Sequence, residues 1–159
     1  MGEGGLIHRE VLELQASPAQ VREFIMSPDR IMDYNPDSID GGVFEPGHSI
    51  WFRTSTGVTM LERIEDLCSD ECVVVLATVA SGLDAPYTAD AVRSAATITL
   101  LEDWDLVATA RGTTLTKTWR DVTSSVELPF PLEDAIRETA KGESDTLVER
   151  WDEAARRET

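Results

Sequence analysis

At 159 residues the chain has one domain's length, read as a single unit over 1–159, and 42% hydrophobic against 28% charged residues places it among folding globular sequences. Fourteen Lys and Arg against 30 Asp and Glu leave a net charge of -16, which repels nucleic-acid phosphates and anionic membrane surfaces. Residues 132–159 hold only 9 of those acids beside 5 bases, so the excess is a surface property and not a tail.

No apolar run reaches the roughly 18 residues of a membrane span, and Met1 to Gly5 has no basic segment, so a cytoplasmic protein is expected. Two cysteines, Cys68 and Cys72, with His8 and His48 cannot assemble a four-ligand zinc set, and the cysteines read as reduced thiols beside a turn. A glycine-rich phosphate loop and a credible Ser-His-Asp set are also missing. The expectation is a small-molecule partner with no metal, cofactor, nucleic acid or membrane, and a monomer or homodimer.

In chain order, Leu6 to Ala16 alternates as a strand with Leu6, His8, Glu10, Leu12 and Leu14 on one face. Ser17-Pro18 then opens a helix carrying Val21, Phe24 and Ile25, and Ser27-Pro28 opens a second short one that runs to Tyr34 before Asn35-Pro36-Asp37. Six strand-like runs follow: Ile39 to Phe44, His48 to Thr54, Val58 to Leu67, Cys72 to Ala80, Ala95 to Asp103 and Thr113 to Thr123. Short turn sequences join the first four of these as antiparallel neighbours, whereas 81–94 and 104–112 read as longer loops. After the Pro-punctuated link 126–131, Leu132, Ile136, Ala140, Leu147 and Trp151 recur at helical spacing, with Gly142 marking a kink or making room for a neighbour.

This order resembles the α+β helix-grip fold of the START, Bet v1 and polyketide-cyclase superfamily. The residues carrying the resemblance are Leu12-x-Leu14-x-Ala16-Ser17-Pro18-x-x-Val21, Ser27-Pro28-Asp29, Glu62-Arg63-Ile64-Glu65-Asp66 and Gly112-Thr113-Thr114-Leu115-Thr116. It implies a curved seven-stranded antiparallel sheet with two short helices and one long C-terminal helix enclosing a cavity. It also implies a hydrophobic ligand between sheet and helix, entered past 55–57, 81–94 and 126–131. One helix covers a curved sheet only along a line, which leaves room for a cavity of at least about 300 Å³.

The resemblance singles out Arg63 and Tyr34, which match a pocket arginine and a tyrosine of aromatase/cyclases; the first would hold an enolate and the second exchange a proton. Arg63 shares a strand face with Thr59 and Leu61, its alternative being a surface pair with Glu62, Glu65 or Asp66. Lys117 alternates with Leu115 and Trp119, so parity turns it inward unless Thr114, Thr116, Thr118 and Arg120 face the core instead and leave it solvated. Trp51 with Arg53, Leu76, Tyr87, Trp104 and Phe130 are further lining or gate candidates. The leading functional expectation is binding of a polyketide, lipid or aromatic metabolite. A cofactor-free polyketide aromatase/cyclase is the alternative, and a self-resistance or chaperone-associated protein the weaker one.

Overall fold

The computed structural model describes residues 5–33, 35, 37–125 and 131–158, of which 33 and 150–158 through their backbone alone. Strand β1 (Leu6–Leu14) leads into helices α1 (Pro18–Ile25) and α2 (Pro28–Asp33). Strands β2 (Asp40–Glu45), β3 (Ser49–Thr54), β4 (Gly57–Arg63) and β5 (Cys72–Ala80) follow. Helix α3 (Ala89–Ser94), strands β6 (Ala96–Ala108) and β7 (Thr113–Ser124), and helix α4 (Leu132–Glu158) complete the chain. The strands form one antiparallel sheet in the order β1-β7-β6-β5-β4-β3-β2.

Local chemistry sets the boundaries. The Ser17 hydroxyl accepts from the Gln20 amide while the Gln20 side chain accepts from the Ser17 amide, a reciprocal cap that satisfies two donors at the start of α1. Where the β6–β7 turn passes the end of β1, a Cβ on Gly112 would lie 2.1 Å from the Leu14 carbonyl oxygen, so only glycine fits.

Three boundaries differ from the sequence expectation. β4 stops at Arg63 because Glu65–Leu67 form a 3-10 turn, with the Cys68 thiol donating to the Ile64 carbonyl and accepting from the Val74 amide. The connection 81–94 contains α3, capped where the Thr88 hydroxyl accepts from the Ala91 amide. β6 runs on to Ala108, so Trp104 is a strand residue and not part of a loop. Aspartates at 103 and 105 disfavour a strand in isolation, and pairing on both sides with β5 and β7 overrides them.

Directly opposed residues share a face, so the register identifies the inner one. His8, Glu10 and Leu12 oppose Trp119, Lys117 and Leu115, which in turn oppose Glu102, Trp104 and Leu106. This face joins Val21, Phe24 and Ile25 of α1 and Ala140 and Leu147 of α4 in the main core. A smaller cluster of Val58, Met60, Ala80 and Val92 lies on the other face, under α3.

Gly142 lies within a helix that is continuous from Leu132 to Glu158, and among the described residues nothing lies within 4 Å of a Cβ built there, so it makes room for no neighbour. Gly142→Ala should therefore raise stability by about 0.5–1 kcal/mol by restricting the unfolded chain. Denaturant unfolding checks this; a loss of stability would reveal a contact at that position.

Candidate functional site on the inner sheet face

The inner face is largely apolar, with one charged stripe crossing it. Along one row stand Arg63, Val75, Glu102, Trp119 and His8, contributed by β4, β5, β6, β7 and β1. The next row brings Val73, Trp104, Lys117 and Glu10 together. Strand period and pairing alone place these groups side by side, and α4 lowers Glu143 onto them.

Lys117 is the centre. Its side chain is 2% exposed, with Nζ 3.2 Å from Glu102 Oε1 and 3.7 Å from Glu143 Oε2. The same nitrogen lies 4.3 Å from the ring centre of Trp104 and 4.6 Å from that of Trp119, so two indole faces share in stabilising the cation. An inward lysine is tolerated here because its charge has both carboxylates and aromatic faces to meet. One ammonium cannot balance two buried carboxylates, however. Burial pushes the Glu143 carboxyl up, Lys117 pulls it partly back and Glu102 adds to the rise, leaving it at about 7. Beside this cluster the His8 ring pairs with Glu10 and lies 5.6 Å from Trp119.

Three buried polar atoms make no hydrogen bond among the described residues: Trp104 Nε1, Ser144 Oγ and Arg63 Nε. Arg63 Nε is 3.3 Å from a Glu65 oxygen, in poor alignment. Unpaired buried donors and acceptors are costly and few in native folds.

Two bulges shape the rim above the stripe. Ile7 is an extra residue on β1, between the pairs Leu6↔Arg120 and His8↔Trp119. On β7 the pairs Leu101↔Arg120 and Thr99↔Thr123 leave an extra residue around Asp121, whose φ is 56°, and Val122 turns into the core. Between this rim and the first turn of α4 lies an open groove of about 390 Å³, lined by Gly5, Ile7, Asp121, Val122, Thr123 and Glu133. Arg137 Nε donates to the Ile7 carbonyl, 3.0 Å away, tying α4 to the edge of β1.

The sequence candidates are thus divided. Leu115, Lys117 and Trp119 lie under α4, and Thr59, Leu61 and Arg63 lie on the same face farther across the sheet. Arg63 also makes the pair with Glu65 that was its alternative. Trp51, Arg53, Leu76 and Tyr87 require correction, because they lie on the opposite face. Trp51 opposes Met60 and packs with Tyr87 and Phe44, Arg53 pairs with Asp40, and Leu76 opposes Glu62. β3 has large apolar residues on both faces, so parity could not choose between Trp51 and its neighbours Ile50 and Phe52. Tyr34 and Phe130 lie outside the described residues. Beneath mid-α4 Trp104, Leu115 and Trp119 are buried, and a groove lies at the rim.

Sequence reading missed Glu102, Glu143 and Ser144. The signal for Glu143 was its position three residues after Ala140 and four before Leu147, on the apolar face of α4. Cys68 and Cys72 are unbridged, and burial with a hydrogen bond to Asp105 pushes the Cys72 thiol up to about 12. About one Cys72 in ten thousand should then be thiolate at pH 8. Its alkylation by iodoacetamide should still be accelerating at about pH 10, and a plateau near pH 8.5 would contradict this environment.

Among the described residues no three His, Cys, Asp or Glu side chains converge as metal ligands, and no helix is long and apolar enough to cross a membrane. Comparison with protein-family models finds no match, and neither does comparison with curated proteins. Solved structures do match. A conserved protein from Geobacillus kaustophilus has 13% identity and a TM-score of 0.64, over 92% of this chain and 95% of that one. A START superfamily protein from Mycobacterium smegmatis has 13% identity and a TM-score of 0.63, over 92% and 97%. Ara h 8.0201 has 10% identity and a TM-score of 0.59, over 90% and 95%. With the strand order and the long C-terminal helix, these likenesses give the chain the helix-grip fold of the START and Bet v1-like superfamily.

Proposed function

We propose that the chain binds a small, largely apolar molecule in the groove between the β1–β7 rim and α4. The observation that carries this reading is an open groove of about 390 Å³ at that rim, walled in part by apolar side chains, at the end of a face whose centre holds a buried polar cluster. Ile7 and Val122 supply apolar walls. The START and Bet v1-like fold supports the same class of ligand. The neutral dye N-phenylnaphthylamine tests it: fluorescence should rise on binding, and Val122→Trp or the milder Val122→Phe should abolish uptake while circular dichroism stays unchanged. Equal uptake by the filled variants would remove the groove as the site. Native mass spectrometry of protein purified from its own host would identify a retained polyketide, lipid or aromatic metabolite.

A second reading, cofactor-free acid–base catalysis such as aromatase/cyclase chemistry on a poly-β-ketone, is favoured by one observation. A carboxyl near 7 on the inner face can both give and take a proton at neutral pH. Glu143 rather than Tyr34 would then be the proton carrier, with Arg63 holding negative charge. Turnover should titrate near pH 7 and fall by about 10²-fold or more in Glu143→Gln. Loss in Arg63→Ala with no loss in Glu143→Gln would return the role to the arginine.

A further inference from the structure

We infer that the middle turn of α4, Gly142 to Ser144, is a pH-sensitive release point at which the helix lifts from the sheet more readily in alkaline than in acidic solution. Such a release needs no ligand and is independent of the binding reading above.

Three adjacent residues weaken this turn, each for a different physical reason. Gly142 is a poor helix former, and among the described residues nothing lies within 4 Å of a Cβ built there, so no side-chain packing is lost or gained by its presence. Glu143 meets an ammonium that is already committed to another carboxylate, at 3.7 Å against 3.2 Å for Glu102. Ser144 is 2% exposed, and its hydroxyl has no hydrogen-bond partner among the described residues. Lifting the turn gives water to both the carboxylate and the hydroxyl. On either side the hold is firmer: Arg137 Nε donates to the Ile7 carbonyl, and Ala140 and Leu147 are buried in the main core.

The charged groups on the inner face beneath α4 are Lys117 on β7, Glu102 on β6 and, on β1, Glu10 and His8, which pair with each other. Arg63 on β4 shares the row of Glu102 and is turned to Glu65. One ammonium therefore faces two carboxylates at the place where α4 meets the sheet. Burial above all keeps a proton on Glu143 up to about 7, with Lys117 pulling it back only in part and Glu102 adding to the rise. In the lifted turn the carboxyl returns to its ordinary value near 4.5, so the closed helix holds a proton that the lifted one gives up between those values. The extra hold is fully present below about pH 4.5, is lost as pH rises through about 7, and does not change beyond that.

Backbone hydrogen exchange of the intact chain, resolved by residue and corrected for the intrinsic rate of each amide, reads the release directly. Amides 143–147 should be at least about tenfold less protected than those of β5 and β6. Their opening should become about 50- to 100-fold more frequent from pH 5 to pH 8 and stay level from pH 8 to pH 9, as carboxyl values of about 4.5 and about 7 require. Glu143→Gln should abolish the rise. Glu102→Gln, which leaves Lys117 one carboxylate to balance, should shrink the rise and end it at lower pH. Equal protection of this turn and the two strands would mean that the helix opens only with the whole molecule. A rise that persists in Glu143→Gln would mean that another group drives it, and either result overturns the inference.

Discussion

Replacing Lys117 by methionine should cost the fold about 3–5 kcal/mol at pH 8, the range expected when one member of a buried ion pair is removed and its partners are stranded. Methionine roughly matches the lysine stem in volume, so the loss would reflect charge and not a cavity. Glu102 and Glu143 would face each other with no cation within the distances Lys117 now provides. The cost should be smaller at pH 5, where Glu143 holds a proton in the folded protein. Restoring neutrality in Lys117→Met/Glu102→Gln/Glu143→Gln should recover most of the loss. Urea unfolding of the three proteins decides the matter; a single variant as stable as the parent at pH 8 would mean that the cluster carries no net charge burden.

Glu143→Gln should change stability in a direction set by pH. The folded carboxyl sits near 7 and the unfolded one near 4.5, so the folded protein keeps a proton that the unfolded chain releases between those values. The stabilisation linked to that proton is fully present below about pH 4.5 and is lost as pH rises through about 7. Parent and variant should agree within about 0.5 kcal/mol near pH 4, because a neutral Glu and a Gln are close in shape and charge. Above pH 7 the variant should be the more stable by about 2–3 kcal/mol. The opposite trend, with the parent gaining on the variant as pH rises, would mean that Lys117 compensates Glu143 fully.

Much of the architecture follows from short-range rules that a sequence displays. Ser17-Pro18 with Gln20 fixes the start of α1 whatever surrounds it, because the cap closes within four residues. The two-residue period of a strand holds Leu115, Lys117 and Trp119 on one side, and two large apolar neighbours determine which side is buried. Element order does the rest, since turns of two to four residues, as between β2 and β3, β3 and β4, and β6 and β7, force antiparallel neighbours.

The site was only half legible because its members come from separated elements. Lys117 stands out in sequence; Glu102 and Glu143 do not, being two acids among 30. They become special when β6 pairs with β7 in one register and α4 docks along β1, arrangements in which a slip of one residue would turn each away. The bulges at Ile7 and Asp121 shift parity locally and create the rim, and no residue pattern announces them. Flanking aspartates made Trp104 read as a loop residue, and a strand apolar on both faces hid which way Trp51 turns. The sequence by itself determined the elements, their order and the inward lysine, since each depends on contacts within a few residues. The tertiary structure alone decided which carboxylates meet that lysine and where the groove opens, because charge compensation and space depend on what distant segments bring to one place.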